Sequence, residues 1–228
     1  MKLYSGPLSL FSAKVRIALA EKGIAHETIS VPWSLARRYE PHHPEVVARN
    51  PKAQVPVLVD GDVTVYDSTQ IFEYLEDRQP QPPLMPAGAA ARARCRRLEA
   101  AADEIFFPPL WSLVEEAFYP PREGGRDGAR LAAAQAAIAA QYEGLERELA
   151  GRSWLCDAYS YADVASFVMV HAAASIGAPP PPALAALNAW LARAKARPAV
   201  RAEVEATRRF VASLFAAPAA EPAAAAHA

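Results

Sequence analysis

Cysteine is scarce in this sequence, and the net charge is close to zero. Among 228 residues only Cys95 and Cys156 occur, far apart and without metal-site spacing or a Cys-x-x-Cys motif. This pattern argues against a disulfide framework and favours a reducing compartment. A formal net charge of −1 gives no general electrostatic attraction to nucleic acids or to anionic membranes.

Long apolar runs are also missing, although hydrophobic residues make up 52% of the chain. No uninterrupted apolar stretch reaches about 18 residues, the length that indicates a transmembrane helix. Pro7 and Lys14 interrupt the N-terminal segment, which is therefore too short to contain the apolar region of a signal peptide. We therefore expect a cytoplasmic protein that has neither a nucleic acid nor a membrane as partner.

The first third of the chain alternates between strand and helix patterns. Strands are predicted at residues 2–5 and 26–31, and two apolar runs on either side of Asp60-Gly61 indicate a β-hairpin. Helical periodicity covers residues 12–22, a short stretch near 45–49, and residues 68–77. The order β-α-β-(α)-β-β-α predicts a compact α/β unit.

The composition changes abruptly at residues 78–88, where four prolines favour a semi-rigid linker. Beyond it the pattern is helical, with breaks at Pro120-Pro121, at Gly124-Gly125, at Gly151 and at 179–182. We predict an α/β domain at 1–78, a linker at 79–88, an all-α domain at 89–215 and a disordered Ala/Pro-rich tail at 216–228. The expected helices span 92–119, 126–150, 161–175, 183–197 and 199–215.

Pro56 stands at the head of an apolar strand pattern and allows two interpretations. Proline has no backbone N–H, so it fits the first residue of a strand. Alternatively, a cis peptide bond before Pro56 turns the backbone groups of Val55 toward a ligand. The residues alone leave both open.

The sequence resembles the glutathione S-transferase superfamily in four segments that occur in the family's order. They are LYSGPLSLFSAKVRIALAEKG (3–23), NPKAQVPVLVDG (50–61), YDSTQIFEYLED (66–77) and SYADVASF (160–167). With the domain order, the resemblance covers essentially the whole chain apart from the tail. It implies a thioredoxin-like domain that binds glutathione, an all-α helical bundle domain, and a homodimer.

The resemblance also implies a set of glutathione contacts. Val55 and the cis-proline Pro56 take the positions that pair with the cysteinyl backbone of the peptide. Asp67 and Ser68 open a helix whose free N–H groups and dipole suit the γ-glutamyl carboxylate, although a plain helix cap is the alternative. For the glycyl carboxylate the candidates are Lys52, Gln54 and His42 or His43, each of which could equally be a solvated loop residue.

Catalysis in the family depends on the loop between the first strand and the first helix, here SGPLSLFS (5–12). Anchored on VRIAL (15–19), Ser9 falls where the serine-type tau and zeta classes keep their catalytic residue. Ser12 is the second candidate and is expected to be the N-cap of the helix. No cysteine lies in the loop, which disfavours thiol–disulfide exchange, and Leu10 replaces a proline that many relatives have.

Large apolar residues late in the first long helix match the family's electrophile pocket. The candidates are Phe106, Phe107, Trp111 and Tyr119, with inter-helix core as the alternative. The expected function is a glutathione transferase of the detoxification type, with glutathione as co-substrate, a small hydrophobic electrophile and no metal. The alternatives are a glutathione-dependent isomerase or dehalogenase, or a non-catalytic binding or regulatory protein.

Overall fold

The structure is a computed structural model, and it describes residues 1–119 and 127–216. The breaks predicted at Pro120-Pro121 and Gly124-Gly125 lie outside the described residues. So does the predicted tail, apart from Ala216.

A four-stranded mixed sheet forms the N-terminal part, in the order β2-β1-β3-β4. The first two strands are parallel and the other neighbours antiparallel. Leu3 faces Leu58 across the antiparallel pair, and both are fully buried. The strands are β1 (Lys2–Ser5), β2 (Glu27–Ser30), β3 (Val57–Asp60) and β4 (Val63–Tyr66). The predicted hairpin around Asp60-Gly61 is confirmed.

Three helices accompany this sheet: α1 (Leu10–Glu21), α2 (Pro44–Arg49) and α3 (Ser68–Arg78). Helix α1 begins two residues before the predicted start because Ser9, and not Ser12, caps it. Asp67 caps α3 as predicted by accepting a hydrogen bond from the Thr69 N–H. Within the described residues, Gln70, three residues after Asp67, makes no bond back to it, so Asp67 is a simple N-cap and the spacing does not form a capping box.

The C-terminal part is helical, and its described residues contain no strand. Its helices are α4 (Ala89–Ala101), α5 (Phe107–Phe118), α6 (Gly128–Glu148), α7 (Tyr161–Ser175), α8 (Ala185–Lys195) and α9 (Pro198–Phe215). The fold class is therefore the expected one, an α/β unit followed by an all-α unit. The exact domain limits stay predictions.

A π-helical segment, Ala102–Phe106, interrupts the single long helix predicted at 92–119. Pro108 and Pro109 follow and cannot donate to carbonyls one turn earlier. The Phe107 N–H bonds the carbonyl of Ala102, five residues back. This local change of pitch sets the direction of Asp103 and Glu104. Such segments are frequent at functional sites.

Asp163 anchors the helical core and forms a capping box with Ser160 at the start of α7. Its carboxylate accepts hydrogen bonds from the Ser160 N–H at 3.0 Å and from the Trp190 indole at 2.8 Å. It also accepts one from the Leu155 N–H. Ser160-x-x-Asp163 is therefore a structural motif that locks α7 against α8.

The main core runs from the sheet through α1 and α3 into α7. Both cysteines are free thiols buried in its helical part. Across residues 1–119 and 127–216, no helix is long and apolar enough to cross a membrane.

Candidate functional site

A cleft of about 380 Å³ lies between the sheet unit and the helical unit. It brings together residues from the segment before β3, the start of α3, the start of α1 and the α4–α5 region. The lining residues are Phe11, Asn50, Lys52, Gln54, Val55, Pro56, Asp67, Ser68, Thr69, Gln70, Ala100, Asp103 and Glu104. Six of the seven predicted glutathione contacts are among them, and His42 is the exception.

The Val55–Pro56 peptide bond is cis, as the second interpretation of Pro56 predicts. The sheet ladder begins only at Val57, which pairs with Tyr4 and Tyr66. Within the described part of the chain, the Val55 N–H and C=O therefore take no part in the sheet. They remain available to the backbone of an extended ligand.

The segment before Pro56 is held by Asn50, a residue that sequence analysis overlooked. Its side-chain amide donates to the Gln54 carbonyl at 2.7 Å, and its side-chain oxygen accepts from the Lys52 N–H at 3.0 Å. Asn50 is buried, whereas Lys52 and Gln54 are exposed at the cleft. By holding the backbone of Lys52 and Gln54, the buried Asn50 amide keeps these two polar side chains at the cleft. The sequence shows only a single asparagine after a short helix, a position where asparagine is also an ordinary helix cap.

The start of α3 offers a hydroxyl and backbone donors to the cleft. Asp67 has a φ of +74°, a left-handed conformation that is costly for a residue with a side chain. Its carboxylate bonds the Thr69 N–H at 3.0 Å and lies 3.6 Å from the Lys52 Nζ. Among the described residues, the Ser68 hydroxyl has no hydrogen-bond partner. Ser68 can therefore donate to a ligand at the helix N-terminus.

Carboxylates form the helical wall of the same cleft, and they belong to a buried ionic network. Lys14 on α1 is fully buried, and its Nζ lies 2.6 Å from Glu99 and 2.6 Å from Asp103. The Thr69 hydroxyl also bonds Glu99, at 3.0 Å. Burial raises the pKa of Asp103 to about 6, against the opposing effect of the Lys14 ammonium. The network fixes the first turn of α3 to the helical unit.

Glu104 adds a second carboxylate to this wall. Donors at the start of α3 suit a carboxylate, and the acidic wall suits an ammonium group. The cleft thus has complementary groups for the two charges of an α-amino acid. Lys14, Asp103 and Glu104 were not among the site residues predicted from the sequence. Lys14 within an apolar helical stripe was the one available signal.

The structure moves the N-cap of helix α1 from the predicted Ser12 to Ser9. The Ser9 hydroxyl accepts a hydrogen bond from the Ser12 N–H at 3.1 Å, so Ser9 is the N-cap of α1. The expectation that Ser12 is the cap is wrong. Ser12 lies one turn inside the helix, fully buried, where its hydroxyl accepts from the Gly6 N–H at 3.2 Å. Neither serine is among the cleft-lining residues. Of the segment 5–12, only Phe11 lines the cleft.

Tyr39 and Arg16 support the loop that carries Ser9. A Cβ at Gly6 would lie 2.5 Å from the Tyr39 hydroxyl and 2.8 Å from two ring atoms, so a larger residue there would require the Tyr39 ring to move. Arg16 donates to the Gly6 carbonyl at 3.0 Å and forms a two-point ion pair with Glu203 on α9. The loop is thereby held from both the sheet unit and the helical unit.

The four predicted electrophile contacts divide into one core residue and three residues at the surface of the helical unit. Phe106 is 3% exposed and packs on Tyr142, so its assignment to a pocket is wrong. It falls on the inner side of the π-helical segment. Phe107, Trp111 and Tyr119 are partly exposed and contact one another in sequence.

Phe11 extends this arrangement to the cleft, with its ring 4.8 Å from that of Phe107. The next centroid separations are 5.9 Å and 6.2 Å. We refer to Phe11, Phe107, Trp111 and Tyr119 as the aromatic row. It provides an apolar surface that begins at the cleft and continues along α5.

The histidines predicted as possible contacts lie elsewhere. His42 is exposed beside Glu40, with 3.3 Å between the ring nitrogen and the carboxylate. His43 caps α2 by accepting from the Glu45 N–H at 3.2 Å. No group of three His, Cys, Asp or Glu side chains in residues 1–119 and 127–216 is arranged to hold a metal ion.

The chain matches known proteins in sequence and in structure. The family model of the glutathione S-transferase N-terminal domain matches residues 3–83. A glutathione S-transferase from Rhodospirillum rubrum F11 superposes with a TM-score of 0.77, at 31% identity over 89% of this chain and 90% of that one. A sphingomonad glutathione S-transferase complexed with glutathione superposes with a TM-score of 0.74, at 29% identity over 91% and 99% of the two chains.

The chain is also similar to proteins that are not named as transferases. A stringent starvation protein A homolog from Coxiella burnetii is 40% identical over 118 residues, which are 51% of this chain and 52% of that protein. The matched segment thus spans about half the length of this relative. By its domain match and its near full-length structural relative, the chain belongs to the glutathione S-transferase family.

Proposed function

We propose that the protein binds glutathione in the cleft and conjugates it, through its thiolate sulfur, to small hydrophobic electrophiles. The observation that carries the proposal is the combination of three features in one cleft. They are the uncommitted Val55 backbone, the free donors at the start of α3 and the acidic wall of Asp103 and Glu104. Together they match a peptide backbone with an α-amino acid at one end.

The glutathione orientation follows from these charges. The γ-glutamyl carboxylate binds at Ser68 and the N-terminal amides of α3, and its ammonium faces the carboxylates of Asp103 and Glu104. The cysteinyl backbone pairs with Val55. Lys52 and Gln54 bind the glycyl carboxylate. This order directs the sulfur toward the loop that begins at Gly6.

Ser9 is the proposed donor to the sulfur. Its oxygen accepts the Ser12 N–H, and no described residue accepts its hydrogen, so the hydroxyl can cap α1 and donate to a thiolate together. A hydrogen bond to the charged form lowers the pKa of a thiol, whose ordinary value is near 8.5. The thiolate then attacks the electrophilic carbon, a C–S bond forms, and the leaving group departs with its electron pair.

A non-catalytic, regulatory role is the competing proposal. The similarity to a stringent starvation protein A homolog supports it. Isomerisation and dehalogenation start from the same thiolate, and the bound electrophile decides which bonds then break. A binding protein needs neither the thiolate nor the Ser9 donor. Catalysis therefore distinguishes the classes more sharply than glutathione binding does.

Calorimetry with glutathione, followed by a conjugation assay with 1-chloro-2,4-dinitrobenzene, tests the proposal. Binding with chloride release supports a transferase. Binding with no turnover of this compound, of a maleyl substrate or of an alkyl halide supports the regulatory role. Absence of binding overturns the glutathione site itself. Ser175→Ala, at the far end of α7, is the control for handling and folding.

We also propose a homodimer in the cytoplasm, as the family resemblance implies. Edge strand β4 carries Val63 at 44% exposure, and Ile105 beside the cleft is 55% exposed. A two-fold axis that buries both surfaces would be self-complementary. A sedimentation experiment that gives a monomer at micromolar concentration contradicts this proposal.

A further inference from the structure

Arg38 stands over the outer end of the aromatic row. Its guanidinium carbon lies 3.7 Å from the centre of the Tyr119 ring and 5.3 Å from that of Trp111. The side chain remains 43% exposed. Stacking engages the face of a guanidinium and leaves the N–H donors in its plane directed outward.

None of these donors forms a hydrogen bond with a carboxylate in residues 1–119 or 127–216. The nearest one described is Glu115, whose Oε1 lies 3.9 Å from the Arg38 guanidinium, beyond hydrogen-bond distance. Glu115 is instead bonded to Arg130, which holds the pKa of that carboxyl below its ordinary value. Arg130 also lies 3.7 Å from Glu116. The local charges of Glu115 and Glu116 are thus shared chiefly with Arg130.

The backbone fixes Arg38 in this place. Its N–H and its carbonyl both bond Ser34, at 2.7 and 2.9 Å, and its φ of +55° is unusual for a residue with a side chain. The next residue, Tyr39, packs on Gly6 in the loop that carries Ser9. Arg38 on the aromatic row and Tyr39 on Gly6 therefore place this segment between the aromatic row and the loop of the proposed sulfur donor.

A planar cation above an aromatic surface, with donors in its plane, matches a molecule that carries both an aryl group and a carboxylate. We propose that Arg38, Trp111 and Tyr119 form a subsite that selects electrophiles with an aryl group and a carboxylate. This inference rests on the proposed transferase function for its biological meaning. The binding it describes does not depend on turnover.

The binding test uses unreactive probes, 4-oxo-4-phenylbutanoate and its uncharged primary amide, with glutathione present. We expect the wild-type protein to bind the carboxylate at least tenfold more tightly than the amide, measured by calorimetry. Arg38→Gln should reduce this ratio to within about twofold. Arg38→Lys, which keeps a point charge but loses the two-point geometry, should give an intermediate ratio.

Arg37→Gln is the matched control, because Arg37 is the neighbouring exposed arginine on the same loop. It should retain the full preference and thereby exclude a general effect of net charge. An equal affinity of the wild-type protein for acid and amide overturns the subsite. An unchanged preference in Arg38→Gln overturns it as well.

A reactive pair separates this inference from the transferase proposal. In 4-oxo-4-phenyl-2-butenoate the glutathione sulfur adds to the alkene, a C–S bond replaces the π bond, and the adjacent carbon takes a proton from water. We expect kcat/KM to favour the acid over its amide at least tenfold, and Arg38→Gln to abolish that ratio. Equal turnover of both compounds contradicts the subsite and leaves transferase function intact. Selective binding without turnover supports the subsite and contradicts the transferase.

Discussion

The Ser9 hydroxyl accepts a hydrogen bond from the Ser12 N–H at 3.1 Å, so the residue proposed to face the sulfur also begins helix α1. An N-cap uses a lone pair of the hydroxyl and leaves its hydrogen free. The two roles are compatible in one side chain, and substitutions can separate them.

Ser9→Ala should lower both stability and turnover. Loss of the cap costs about 1 kcal/mol of the free energy of unfolding, and loss of the donor should reduce kcat about tenfold or more. Ser9→Gly should cost only a few tenths of a kcal/mol, because glycine is a tolerated N-cap, with kcat reduced as in Ser9→Ala. Urea denaturation and steady-state kinetics on both variants check this. Full activity in Ser9→Gly would show that the hydroxyl only caps the helix.

Ser68→Ala should weaken glutathione binding without loss of stability. The Ser68 hydroxyl bonds no described residue, so its removal deletes only the donor to the γ-glutamyl carboxylate. A hydrogen bond to a charged group contributes about 1.5–3 kcal/mol, which corresponds to roughly a tenfold to hundredfold rise in Kd. Calorimetry measures the change, and Ser175→Ala is the reference. An unaltered Kd would place the carboxylate elsewhere.

Gly6→Ala should destabilise the protein through contact with the Tyr39 ring. Overpacking of this kind costs about 1–3 kcal/mol. Gly128→Ala is the matched control, because nothing lies within 4 Å of a Cβ there. A double-mutant cycle with Tyr39→Ala should recover much of the loss. Strict additivity would mean that the two residues do not press on each other.

Asp103→Asn should change how stability depends on pH. The carboxyl has an ordinary pKa of 3.8 and a folded-state pKa of about 6. The folded protein therefore binds this proton more tightly, and its contribution is present below pH 3.8 and lost as pH rises through 6.

Relative to the wild type, the Asp103→Asn protein should gain roughly 1–3 kcal/mol of stability between pH 4 and pH 7. The difference between the two proteins is the relevant quantity, because other carboxyls titrate in both. Asp157→Asn, whose side chain is 84% exposed, is the control. Parallel stability curves for wild type and Asp103→Asn would show that burial does not raise the pKa of this carboxyl.

The sequence predicted the strands and most helix limits because periodicity and turn residues act locally. The hairpin at Asp60-Gly61 and the helix Tyr161–Ser175 are examples. The cis bond before Pro56 followed from the family resemblance and not from propensity. The start of α1 was misplaced because two serines three residues apart are equivalent cap candidates in sequence, and the three-dimensional path of the loop decides between them.

Contacts between the two units could not be predicted. Lys14 meets Glu99 and Asp103, which lie more than 80 positions away. The orientation of Phe106 depends on the π-helical segment, which shifts the helix phase by a fraction of a turn. In the sequence Arg38 is an ordinary loop arginine, because the rings on which it stacks, Trp111 and Tyr119, lie far along the chain.

The proposed function requires that the protein bind glutathione and hold its sulfur as a thiolate beside Ser9. Titration of the thiolate absorbance of bound glutathione against pH tests this directly, in the wild type and in Ser9→Gly. We predict a thiol pKa well below the ordinary value of about 8.5 in the wild type, and a return toward that value in Ser9→Gly. A wild-type complex whose thiol titrates like free glutathione would contradict a thiolate stabilised by Ser9, as would a lowered thiol pKa that Ser9→Gly leaves unchanged.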